Sequence, residues 1–251
     1  MKILKRLVLV VLILIAIIVI AGIVANESLP TGGKSGEEAD KMALKMEKAL
    51  GKEHWHDIQY VQWTFAGMHH FLWDKHRNMV RVKWGQNTVY ITPGKSKGAA
   101  FIETERVSKE LEGVLIKSAI DFFNNDMFWL IAPYKTFDDG VSREVVDYEG
   151  DKRLLVTYSS GGSTPGDSYL WKLEADGTPE SYKMWVQIIP IGGLELTWER
   201  YYTLGNGVRV SHFHEGVGPL DLEISDVKVG YGYEEMNCEK DPFKILIEES
   251  E

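Results

Sequence analysis

Two His-x-His pairs, His54 with His56 and His212 with His214, are the first candidates for metal chemistry, because imidazoles one residue apart on a strand point the same way and can share an ion. A zinc site needs further ligands, and no His-Glu-x-x-His, Cys-x-x-Cys or carboxylate at a standard spacing accompanies either pair. Histidine at a half-buried sheet position is common without metal, so neither metal nor cofactor is expected. Gly166-Asp167-Ser168-Tyr169 could present a nucleophilic serine, but the Asp-x-x-His that would supply a base occurs nowhere in the chain, and no catalytic residue is assigned. Thr31-Gly32-Gly33-Lys34-Ser35 looks like the end of a phosphate-cradling loop; the motif needs glycine five positions before Gly33, where Ser28 stands.

The remaining candidates are aromatic. The chain has 8 tryptophans, and Trp63, Trp84, Trp171 and Trp198 fall, with Phe65 and Tyr169, on the apolar faces of alternating segments. Ligand sites are concave, apolar and aromatic with a few polar groups, and a stripe of this kind could line one, although any sheet core has the same pattern. His212 and His214 share a face with Val208 and Val210, which points them inward as core hydrogen-bond partners or as the polar end of a cavity.

These side chains must be positioned by strands. A helix is expected over about 36–50, from a Ser35/Glu38 capping box and the spacing of Ala39, Met42, Ala43, Met46 and Leu50. A second is expected over about 108–123, with Leu111, Val114, Leu115 and Ala119 on the packed side and Asn124-Asn125 as the stop. Val61, Trp63 and Phe65 and then Val80, Val82 and Trp84 alternate with polar residues as half-buried strands. Further strands are expected near 143–148, 153–159, 168–174, 181–189, 194–203 and 207–214, with one or two more in 215–232. Turns such as Glu149-Gly150-Asp151, Asp176-Gly177-Thr178-Pro179 and Asn206-Gly207 join them into an antiparallel meander.

Leu7–Ala25 is an unbroken apolar run of 19 residues preceded by Lys2, Lys5 and Arg6. At about 1.5 Å per residue it matches a hydrocarbon core of roughly 30 Å, and it is longer than a signal-peptide core and lacks a good cleavage site. The basic terminus places the N-terminus in the cytoplasm and the rest of the chain outside. The expected organisation is a cytoplasmic stub and transmembrane anchor (1–25), a Gly/Pro/Ser-rich flexible tether (26–36), an exported β domain (37–233) and an acidic tail of uncertain order (234–251). Without residues 1–25 the chain has 25 basic and 37 acidic residues, a net charge of −12 that disfavours nucleic acid and anionic headgroups as partners. The lone Cys238 excludes an internal disulfide.

The strings FFNNDMFWLIAP (122–133) and GGSTPGDSYLWKLEADGTPESYKMWVQIIPIGGLELTWERY (161–201) resemble an uncharacterised family of bacterial envelope proteins, over about residues 38–230. That family is in turn distantly similar to the periplasmic lipoprotein carriers and receptors of the LolA/LolB type. The resemblance implies an α+β fold, a curved antiparallel half-barrel with helices packed on its concave face and Trp63, Trp84, Trp171 and Trp198 on that side. The function it implies is an inner-membrane-anchored, periplasmic module that binds a lipid, acyl chain or other hydrophobic ligand without covalent chemistry. The alternatives are a metal-dependent or serine hydrolase of the envelope and an assembly protein that docks on a protein partner.

Overall fold

Alternating apolar side chains in short runs, punctuated by turn residues, give strands with one face to bury, and the chain buries them in two antiparallel sheets. The computed structural model describes residues 26–95, 97–160, 164–216 and 221–248. The anchor expected at 7–25 lies outside them, and among the described residues no helix is long and apolar enough to cross a membrane.

After helix α1 (Glu37–Ala49), strands β1 (Tyr60–Phe65), β2 (His69–Asp74), β3 (Met79–Trp84), β4 (Asn87–Ile91), β5 (Gly98–Ile102) and β6 (Glu105–Arg106) form a meander. Helix α2 (Lys109–Ile131) follows. A second meander contains β7 (Val141–Tyr148), β8 (Asp151–Tyr158), β9 (Asp167–Leu173), β10 (Pro179–Trp185) and β11 (Leu194–Thr197). The chain then returns to the first sheet as β12 (Glu199–Thr203), β13 (Arg209–His214) and β14 (Leu222–Gly230), and ends in the short helix α3 (Lys244–Glu248). The orders are β12-β13-β14-β1-β2-β3-β4-β5-β6 and β11-β10-β9-β8-β7. The fold is therefore α+β, with two antiparallel sheets, few helices and no closed barrel among the described residues.

The segment read as one strand over 194–203 is divided at Trp198. Thr197 N donates to Glu215 O at 2.9 Å and Trp198 N to Glu180 O at 2.8 Å, so pairing passes there from one sheet to the other. Arg200, at φ 51°, takes a left-handed conformation just after the switch, with its guanidinium 3.9 Å from the Phe213 ring centroid.

Each sheet has a helix on one face. Ala39, Ala43 and Met46 of α1 pack with Val145, Leu154, Val156, Trp171 and Leu196 of the smaller sheet. Ile116, Ala119, Phe123 and Leu130 of α2 pack with Trp63, Phe71, Val82 and Val89 of the larger one. Two details of the helices differ from expectation. Gly36, not Ser35, caps α1 without a side-chain bond, so the capping box does not form. Helix α2 runs through Asn124-Asn125 to Ile131, because Leu130 and Ile131 extend the buried stripe and packing outweighs the modest propensity cost of two asparagines. The packed face is shifted in part from the one expected: Ala119 is buried and Leu115 packs on the core, but Leu111 and Val114 are 40% and 61% exposed, and Ile116 and Phe123 are buried in their place.

The chain ends cover the opposite faces. Met236, Phe243 and Leu246 bury Tyr60 and Leu72 of the larger sheet, so this acidic stretch is packed. Arg77 holds it, with Nη1 and Nη2 2.5 and 2.9 Å from the Asp241 carboxylate and Nε 2.6 Å from Asp74 Oδ2. Residues 26–34, read from composition as a tether, are hydrogen-bonded to the smaller sheet at both ends: Glu27 N donates to Gly192 O, and Lys34 exchanges two backbone bonds of 2.9 Å with Val145.

Candidate functional site

Alternation on β9 and β10 directs Tyr169, Trp171 and Tyr182 to the helix-covered side, and the register sets Tyr182 opposite Trp171. The sheet switch adds Trp198 and β13 adds His214, while α2 supplies Phe128 and Trp129 from its last turns. The rings form one continuous cluster. Trp171 lies 5.0 Å from Tyr182 and 5.1 Å from Trp198, and Trp198 lies 4.5 Å from His214, centroid to centroid. Trp129 closes it at 5.8 Å from Tyr182 and 5.4 Å from His214, and Phe128 packs 4.7 Å from Tyr169.

Three buried polar atoms in this cluster have no hydrogen-bond partner among the described protein atoms: Trp171 Nε1, Trp198 Nε1 and Tyr182 Oη. Each leaves a desolvation penalty of about 1–3 kcal/mol uncompensated. His214 Nδ1 donates to Thr197 O at 2.9 Å, and the ring also interacts with the Trp129 backbone. Burial lowers the His214 pKa to about 4 despite that hydrogen bond. Complete burial raises the Tyr158 and Tyr182 phenols well above their ordinary range. The imidazole and the phenols of the cluster are thus uncharged at neutral pH. That suits a largely apolar molecule with carbonyl or hydroxyl groups and disfavours an ion. A groove of about 330 Å³, bordered by Pro179, Ser181 and Glu195, reaches Trp198.

Of the residues singled out from the sequence, Tyr169, Trp171, Trp198 and His214 meet here. Trp63, Phe65 and Trp84 belong to the other core, where Trp63 stacks on Phe71 at 4.5 Å and Trp84 meets Phe122 edge-on at 5.3 Å. His212 is half-buried at the rim, its ring stacked 3.8 Å from that of Tyr202. The other pair is not on a strand: His54 ends a 3-10 turn, His56 follows it, and both are exposed. No group of three or more His, Cys, Asp or Glu among the described residues is placed to hold a metal ion. Ser168 is buried, its hydroxyl 2.8 Å from Thr157 Oγ1, at the start of β9.

Sequence reading missed Tyr182, Phe128 and Trp129, the last two because the helix was ended at Phe123. It also missed a hydrogen bond between β2 and α2, His69 Nδ1 to Asp126 Oδ2 at 2.7 Å, with the imidazole stacked 3.9 Å from Phe122. Asp126 is 2% exposed, and burial raises its carboxyl pKa above the usual range. Two carboxylates, Asp121 and Asp126, inside the otherwise uncharged run 119–133 were the available signal.

The fold and site define a two-sheet α+β protein with a neutral aromatic interior. No family profile matches the sequence, and no curated protein matches it. Among solved structures, the chain is similar to a DUF1329 family protein from Desulfovibrio piger, at 11% identity and a TM-score of 0.39, over 78% of this chain and 95% of that one. It is also similar to a LolA superfamily protein from Nitrosomonas europaea, at 10% identity and a TM-score of 0.36, over 82% of this chain and 96% of that one.

Proposed function

We propose that this chain is a membrane-anchored binding module that holds a lipid, acyl chain or other hydrophobic ligand on the outer side of the cytoplasmic membrane, without covalent chemistry. The observation that carries the reading is the group of three partnerless polar atoms, Trp171 Nε1, Trp198 Nε1 and Tyr182 Oη, inside one aromatic cluster. A ligand with an apolar body and carbonyl or hydroxyl groups satisfies them, whereas a charged ligand would lose its hydration with nothing to replace it. Residues 7–25 serve as the anchor, with the N-terminus in the cytoplasm, and the two sheets act as halves of an open, curved half-barrel whose concave side is filled by α1 and α2.

The test is native mass spectrometry of the full chain extracted from membranes in mild detergent, joined to titration with a long-chain fatty alcohol and a monoacylglycerol while tryptophan emission is followed. The expected result is an apolar molecule that co-purifies and a saturable emission change that Trp171→Phe and Trp198→Phe weaken. No co-purified molecule and no emission change with either probe would reject the reading.

A further inference from the structure

The loop between β10 and β11, Val186-Gln187-Ile188-Ile189-Pro190-Ile191, contains no charged side chain. Ile188 is 69% exposed, the most exposed of the large hydrophobic side chains among the described residues, and Gln187 and Pro190 are exposed beside it. The loop is held in shape: Gln187 N donates to Asp167 Oδ1 at 2.9 Å and Ile189 N to Val186 O at 3.2 Å. An isoleucine displayed on an ordered, uncharged loop is poorly placed in water, and its setting identifies what covers it.

The first described residues of the chain are fastened to this loop's base. Glu27 N donates to Gly192 O at 3.0 Å, Gly192 N to Asn26 Oδ1 at 2.8 Å, and Trp185 Nε1 to Glu27 O at 2.8 Å. The Glu27 carboxylate is gripped from the sheet by Lys183 Nζ at 2.7 and 2.9 Å and by the Tyr148 hydroxyl at 2.5 Å. Contact is close enough to demand glycine: a Cβ on Gly192 would lie 2.7 Å from Glu27 O, and one on Gly193 would lie 2.6 Å from Glu27 Cβ. The apolar run ends at Ala25, two residues before Glu27. Two residues of chain reach at most about 7 Å.

We propose that the 186–191 loop lies in the lipid interface beside the point where the N-terminal segment leaves the bilayer, so that the domain stands on the membrane in a fixed orientation. The occupant of the loop is the headgroup–acyl boundary of the lipid. This rests on the reading of residues 7–25 as an anchor. Burying isoleucine in that boundary is favourable without any charge on the protein, so the contact is compatible with a net acidic domain and insensitive to salt. Trp185, an amphipathic ring at the loop's base, suits the same depth.

The test uses the full chain with Cys238→Ser, reconstituted in phosphatidylcholine vesicles and labelled with nitrobenzoxadiazole at Ile188→Cys or, as control, at Leu44→Cys. Leu44 is 55% exposed on α1, whose neighbour Lys45 donates to Ala175 O at the other end of β10. Seven strand residues, β10 in full, separate the two ends by roughly 20 Å. The expected result is loss of emission at 188 with spin-labelled phosphatidylcholine and not with iodide, and the reverse at 44. Iodide quenching at both positions, with the chain retained by the vesicles after an alkaline wash, overturns the loop placement and leaves the anchor standing. A label at 188 shielded from both quenchers means that protein covers the loop, and also overturns it. Release of the chain by the alkaline wash removes the anchor reading, and the placement falls with it.

Discussion

His214 should make the domain's stability depend on pH in a calculable way. Its ring is fully buried between Trp198 and Trp129, and burial lowers its pKa from 6.5 to about 4. In the unfolded chain the imidazole takes up a proton as pH falls through 6.5, while the folded protein resists until about pH 4. Between those values the unfolded state binds more protons, so stability present above pH 6.5 is lost as pH falls and the loss is complete near pH 4. At 1.36 kcal/mol per pH unit the effect is about 3 kcal/mol, a large share of the roughly 5–15 kcal/mol that stabilises a domain. The comparison is wild type against His214→Asn, whose side-chain amide can still donate to Thr197 O but does not titrate. Urea unfolding of the detergent-solubilised chain, followed by tryptophan emission from pH 7.5 to 4, gives both curves, and carboxylate titration common to the two cancels in their difference. The variant carries a constant penalty for lost ring packing, and the gap between the curves narrows by about 3 kcal/mol towards pH 4. Parallel curves would refute the argument, since His214 would then titrate alike folded and unfolded.

Tyr182→Phe removes a fully buried hydroxyl with no partner while keeping the ring, and should raise ligand-free stability by about 1 kcal/mol in the same urea assay; destabilisation would mean that the hydroxyl is satisfied in solution. Phe243→Ala empties a site at 0% exposure between Tyr60 and Leu72 and should cost about 3–5 kcal/mol. It should also expose the chain beyond residue 232 to limited proteolysis, and unchanged resistance there would show that Arg77 and Asp241 suffice to hold the C-terminal segment.

The alternation that identified Val61, Trp63 and Phe65, and the turn chemistry at Asp176-Gly177-Thr178-Pro179, are local signals, and the strands they mark are antiparallel neighbours as expected. Strand β2 was not read because His69-His70-Phe71-Leu72-Trp73-Asp74 does not alternate cleanly: Phe71 faces α2 while Leu72 faces the C-terminal segment, so both sides of the strand are buried. Nothing in residues 194–203 marks the change of sheet at Trp198, because it is made by partners far away in sequence, Glu180 and Glu215. The contacts of residues 26–34 were illegible for the same reason. Glycine, proline and serine describe a chain that can be flexible, and whether it is depends on Lys183, Tyr148 and Val145, more than a hundred residues on.

Four of the seven residues of the candidate site were legible; that polar atoms of Trp171 and Trp198 would lack partners there was not. A sheet consumes its own carbonyls in its ladders and a helix consumes most of its own, so a donor directed into the space between them finds few acceptors. A core that needs only packing avoids the problem with leucine, isoleucine and phenylalanine, as Leu154, Val156 and Phe123 do. Trp63 Nε1 and Trp73 Nε1 also lack partners, but each stands on a ring that packs with phenylalanine. At Trp171, Tyr182 and Trp198 the unmet atoms belong to rings in mutual contact, and a Tyr→Phe or Trp→Phe exchange would remove each of them. Packing alone does not account for polar rings at these adjoining positions; under the proposed reading, a bound molecule that brings its own acceptors does.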